Sequence, residues 1–149
     1  MKNAVLLVQG SGQLAMKNPN IFQQMKEEHE DFLKDLLNEG EIAIIQFSHQ
    51  IDEFFEFSSD YKEILSTFDK KPSAGGSDIE LAVEKALEML KDRNGEKIIY
   101  ITGGCLYGLP LLKSAIEKAK DQNIELIFLK DFILQEFFEV KLGFPVSIL

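Results

Sequence analysis

Three groups of residues in this chain have the types and spacing to do chemistry. Gly10-Ser11-Gly12 follows an apolar run and could fold its backbone N–H groups into a nest for phosphate. It lacks the lysine of a P-loop and the full glycine pattern of a dinucleotide site. The next helix is expected to start only near Pro19, too far along to aim its N-terminus at that turn. The segment therefore reads as a tight turn. Cys105 follows Gly103-Gly104 at the end of another apolar run, where a nucleophile could sit. Thiol chemistry needs a base or another means of lowering the thiol pKa. The two histidines are His29, at core spacing on a helix, and His49, in a hairpin turn. They make no triad, and Cys105 reads as an inert, partly buried thiol. Asp52, Glu53 and Glu56 supply carboxylates along one strand. Alternation sets Glu53 on the opposite face from the other two, so they read as solubilising charges rather than an acid/base pair.

The elements that would position these residues alternate between two periods. Residues 4–8 form a short apolar run ending in a glycine-rich turn, as a buried strand does. Asn18-Pro19 then opens a helix with Asn as cap and Pro at the first helical position. Phe22, Met25, His29, Phe32, Leu33, Leu36 and Leu37 continue it at helical spacing, and Gly40 stops it. Strands are expected at 42–47 and 51–57, close enough to form an antiparallel hairpin, with a short helix or turn at 61–68. In the second hairpin strand Ile51, Phe55 and Phe57 should face one helical layer and Phe54 the other, all as core. The minor alternative leaves Phe54 or Phe137 exposed as a partner anchor.

A loop at 71–76 precedes the clearest helix, 78–91, whose Ile79, Val83, Ala86, Leu87 and Leu90 share a face. Ser77 with Glu80 makes a capping box at its start, and Asp78 is a second residue suited to capping. A strand at 97–102, a helix at 109–122 with Leu112, Ala115, Ile116 and Ala119 inward, and a strand at 124–129 follow. A last helix at 132–141 and a short edge strand at 145–149 complete the pattern. Strands alternating with helices predict a doubly wound, mainly parallel α/β sheet covered on both faces, with one antiparallel edge hairpin strand. The first strand should lie centrally, beside the fourth. Ligand sites in such sheets sit at the carboxyl ends of strands where the winding reverses, here between Val8 and Thr102.

The 149 residues suit one domain spanning 1–149. Apolar residues make up 45% and charged residues 28%, the balance of a soluble globular fold. The formal charge of −9 argues against nucleic acid, since phosphates repel an acidic surface. A single cysteine forms no internal disulfide, which suits a reducing, cytoplasmic setting. Met1-Lys2-Asn3 shows no leader pattern, and no apolar run reaches the length of a membrane span.

Three loops together resemble those of a von Willebrand factor A (vWA) domain, and the resemblance covers nearly the whole chain. The family's Asp-x-Ser-x-Ser at the end of the first strand is matched by Gln9, Ser11 and Gln13. Its Gly-Gly-Thr-Asp-like helix start is matched by Gly75-Gly76-Ser77-Asp78, and its Thr-Asp-Gly by Thr102-Gly103-Gly104. The stretch 42–48 also resembles the family's second strand, which often ends in Phe-Ser. The resemblance implies a metal-ion-dependent adhesion site whose positions are Gln9, Ser11, Gln13, Ser77, Asp78 and Gly103. A hard divalent cation prefers oxygen ligands with charged carboxylates. Ser11 and Ser77 keep hydroxyls, Gln9 and Gln13 offer neutral amides, Gly103 offers no side chain, and Asp78 is usually not a direct ligand in the family. The expectation is a degenerate site without metal or other cofactor. The function expected is a non-enzymatic protein-interaction or assembly module, with Leu14, Leu106 and Tyr107 as partner anchors and neither nucleic acid nor membrane as partner. The alternatives are a small doubly wound enzyme or phosphate-ligand binder using Cys105 or the Gly10–Gly12 turn, and a vWA domain that retains weak Mg²⁺ binding.

Overall fold

Strand β1 (Lys2–Gln9) is buried from Asn3 to its end. A strand covered on both faces needs apolar residues without alternation, and Ala4, Val5, Leu6, Leu7 and Val8 supply them. A computed structural model of the chain describes residues 1–9, 26–27, 29–69, 78–102, 109–129 and 147–148. Its further strands are β2 (Gly40–Phe47), β3 (Ile51–Ser58), β4 (Glu96–Thr102), β5 (Glu125–Phe128) and β6 (Ser147–Ile148). Its helices are α1 (Glu30–Glu39), α2 (Tyr61–Ser66), α3 (Ile79–Leu90) and α4 (Leu109–Asp121), with a 3₁₀ turn at Thr67–Asp69. The sheet order is β3-β2-β1-β4-β5-β6. Among the described residues only β2–β3 is antiparallel; β1 pairs in parallel with both β2 and β4. The edge position of β3, the central position of β1 beside β4 and the short last strand agree with the sequence-based expectation. The expected helix at 132–141 lies outside the described residues.

Alternation along the central strands divides the core in two. Val5, Leu7, Ala43, Ile45, Phe47, Ile99, Ile101, Leu126 and Phe128 pack with the buried faces of α3 and α4. From α4, Ala115 and Ala119 are buried and Ile116 packs at the margin. On the other side Ala4, Leu6, Val8, Ile42, Ile44, Ile98 and Tyr100 meet Leu33 and Leu36 of α1, with Ile64 and Phe68.

Two local expectations are corrected and one is extended. The helix expected to run unbroken from Pro19 to Gly40 is interrupted at His29, which takes a turn conformation (φ −107°, ψ 7°) between helical Lys26-Glu27 and α1. Gly40 does more than stop α1: it opens β2 opposite Lys2, and a Cβ there would collide with the Lys2 carbonyl. On β3 the facing is different. Register shifts between Ile42 and Ile44, and between Gln46 and Phe47, mark irregular pairing with β2. Each bulge adds one residue and reverses the alternation beyond it. Ile51 and Phe57 therefore pack on the α3 side and Phe55 on the α1 side. Phe54 pairs across from Ile45, carries Lys85 of α3 over its ring, and is 43% exposed.

Candidate functional site

The strand order reverses at β1–β4, so a crevice is expected at their carboxyl ends. Val8 pairs with Thr102, which leaves Gln9 one step further out, paired with Phe47. Gln9 and Thr102 are both buried. Alternation turns them to opposite faces, Gln9 with the α3–α4 layer and Thr102 with the α1 layer.

On the α1 side the Thr102 Oγ1 lies 3.0 Å from His29 Nε2. His29 is itself buried, and its ring meets Phe32 edge-on at 6.4 Å between centroids. Phe32 in turn stands edge-on to Tyr100 at 4.9 Å. Burial raises the Tyr100 phenol above its ordinary pKa. The histidine thus serves a polar tie inside an aromatic cluster. Helical spacing flagged His29 as core; its partner, 73 residues away, has no local signal.

On the β2 side the chain leaves Phe47 through Ser48-His49-Gln50. Ser48 N–H donates to Gln50 O at 2.9 Å, which closes the turn. The buried Ser48 hydroxyl donates to Asp52 Oδ1 at 3.2 Å, and Gln50 Nε2 reaches the same oxygen at 3.3 Å. Asp52 therefore organises the hairpin turn. His49 Nδ1 is 3.5 Å from Ser48 Oγ, at the outer limit of a hydrogen bond. Ser–His–Asp hydrolysis would need the serine bonded to the histidine and the histidine to the carboxylate. Here the serine bonds the carboxylate directly.

Asp78 joins this edge through its backbone: its N–H donates to Ser48 O at 2.8 Å. Its side chain caps α3, with Oδ1 accepting from Leu81 N at 3.1 Å. The N-cap is thus Asp78, one residue later than the capping box expected from Ser77 and Glu80. Both residue types cap well, and the pairing of Asp78 N–H with Ser48 O decides where the helix begins.

Among the expected site residues, Gln9 and Asp78 are described and lie at this edge. Ser11, Gln13, Leu14, Ser77, Gly103, Leu106 and Tyr107 lie outside the described residues, as do Gly10, Gly12 and Cys105. Gln9 presents an amide at the end of β1, and the Asp78 carboxylate is engaged as a cap. Of the two, the Gln9 amide is neutral and brings no charge to a divalent cation, whereas Asp78 is a carboxylate. No group of three or more His, Cys, Asp or Glu side chains comes together among the described residues. No helix among them is long and apolar enough to cross a membrane.

Comparison with known proteins agrees with the geometry. The chain is similar in fold to the vWF domain of the type V pili tip protein Mfa5 from Porphyromonas gingivalis, with 16% identity and a TM-score of 0.60 over 70% of this chain and 38% of that one. Proximal thread matrix protein 1 from the mussel byssus gives 19% identity and a TM-score of 0.64, over 93% of this chain and 38% of that one. The SpRpn10 VWA domain gives 14% identity and a TM-score of 0.63, over 100% of this chain and 88% of that one. The chain thus spans well under half the length of the first two. No curated protein matches it. The sequence model of the von Willebrand factor type A domain matches residues 4–105, and the chain belongs to that family.

Proposed function

We infer that this domain is a non-enzymatic protein-interaction or assembly module of a reducing, cytoplasmic setting, whose vWA ligand edge works without a metal ion. The observation that carries the reading is Gln9, a buried amide at the end of β1; the resemblance matches it to the first metal-site aspartate of the family. Gln13 and Gly103 remove further ligands in the sequence, and the Asp78 and Asp52 carboxylates at this edge each accept a hydrogen bond, Asp78 as the cap of α3 and Asp52 from Ser48. The interaction role is supported by family membership and by neighbours named as a pilus tip protein and a thread matrix protein.

The partner surface in this reading is the carboxyl edge formed by segments 11–16, 48–50, 71–78 and 103–109. Leu14, Leu106 and Tyr107 are its apolar anchors. A basic or neutral protein suits a chain of charge −9 better than nucleic acid does. The test is isolation of the tagged chain from its native host, followed by binding measurements on whatever protein co-purifies stoichiometrically. Tyr107→Ala should weaken that complex by about 1–2 kcal/mol, a hot-spot loss, while leaving the melting temperature nearly unchanged. Binding that needs millimolar Mg²⁺ and vanishes with EDTA would overturn the metal-free reading.

A further inference from the structure

The carboxyl edge leaves the far side of the sheet unused, and the exposed ring of Phe54 lies there. β3 is the terminal strand, paired only with β2 among the described residues. A hollow of about 470 Å³ beside it is lined by Ile51, Asp52, Glu53, Phe54 and Lys85. Lys85 Nζ sits 4.1 Å from the Phe54 ring centroid and 3.7 Å from Glu88 Oε1. One aromatic anchor is thus held in place by a cation while remaining open to solvent. The same strand carries three carboxylates: Asp52, held by the hairpin turn, Glu53, which alternation turns to the opposite face from Phe54, and Glu56.

We propose that the β3 edge is a second docking surface, and that its occupant is an extended, lysine- or arginine-bearing segment of a partner protein. Charge complementarity selects that occupant. A second copy of this chain laid along β3 would set three carboxylates against three more, and like charges across a strand pair are destabilising. Edge carboxylates and bulges keep a strand from pairing with its own copies. They do not repel a cationic strand. The bulges confine regular pairing with β2 to residues 53–55, so backbone bonding to the partner is short. Specificity then rests on an apolar side chain entering the hollow at Phe54 and on cations facing Glu53 and Glu56. This surface adjoins the carboxyl edge at the Ser48–Asp52 turn but does not depend on the metal question, and it gives the module a second face for assembly.

The probe is a short, capped, fluorescein-labelled peptide alternating lysine and valine, with a glutamate–valine peptide as control, each titrated into the whole chain by anisotropy. The lysine peptide should bind with an affinity that falls as salt rises, and the glutamate peptide should not bind. Phe54→Ala should weaken binding about ten-fold or more. The double variant Glu53→Lys with Glu56→Lys should do the same without removing the ring. Hydrogen exchange should show protection at β3 amides. Failure of the lysine peptide to bind at millimolar concentration overturns the proposal. So does binding unaffected by both variants, or protection confined to segments 11–16 and 103–109. A concentration-dependent dimer lost on Phe54→Ala would replace the basic segment with a second copy as occupant. The Tyr107→Ala measurement reads the carboxyl edge separately, so either surface can fail alone.

Discussion

His29 Nε2 lies 3.0 Å from Thr102 Oγ1, and this bond ties the turn before α1 to the last residue of β4. The two side chains are buried at the edge where a vWA domain carries its ligand loops. Removing the imidazole takes away a buried hydrogen bond and the edge-on contact with Phe32. His29→Ala should therefore lower unfolding stability by roughly 1–3 kcal/mol in urea titrations. His29→Gln, which keeps a polar tip, should lose less. Equal losses for the two variants would show that ring packing dominates and the bond contributes little.

The Asp78 carboxylate caps the start of α3. Asp78→Ala should cost about 1 kcal/mol, the usual loss of an N-cap, while Asp78→Asn and Asp78→Ser should stay near the parent. Chemical denaturation of the three variants checks this. A neutral Asp78→Ala would mean that the backbone bond to Ser48 O is enough to hold the helix start.

If the loops keep the family's scaffold, metal binding can be rebuilt. The parent chain should show no rise in melting temperature in millimolar Mg²⁺. A ligand at one hundred times its dissociation constant would add about 2.7 kcal/mol. Gln9→Asp, Gln13→Ser and Gly103→Asp together should create a Mg²⁺-dependent rise that EDTA reverses. A rise already present in the parent contradicts the metal-free reading directly.

Alkaline stability should depend on Tyr100. Its folded pKa is raised above the ordinary 10.0, chiefly by burial. A group whose folded pKa exceeds its unfolded value contributes fully below the unfolded value, and that contribution is lost as pH rises through the folded one. Lys2, raised above 10.5 by its hydrogen bond to the Glu39 carboxylate, acts in the same direction and window. Unfolding stability should therefore fall above about pH 10. Tyr100→Phe should flatten part of that fall and leave neutral-pH stability close to the parent. An identical alkaline profile in the variant would remove Tyr100 from the account.

The chain's local patterns carried the architecture because they reflect local physics. An apolar run such as 4–8 suits only a strand buried on both faces, and the Ile79-Val83-Ala86-Leu87-Leu90 spacing makes one apolar helix face. Alternation of such elements with one short hairpin link leaves few right-handed arrangements, and the observed sheet order is among them. Of the metal-site pattern, Gln9 ends β1 and Asp78 caps α3, and the other positions lie outside the described residues. What the tertiary structure decided were competitions between locally equivalent choices. Ser77 and Asp78 are both good caps, and the bond from Asp78 N–H to Ser48 O, across 30 residues, selects Asp78. His29 fits a helix interior by spacing, yet its pairing with Thr102 accompanies a turn there. The alternation in Ile51–Ser58 misassigned its phenylalanines, because bulges arise from how β3 lies against β2 and leave no mark in a single strand's sequence. Sequence periodicity encodes which face is apolar, whereas register and long-range hydrogen bonds exist only between segments, and those relations left Phe54 part-exposed under Lys85 and set Thr102 against His29.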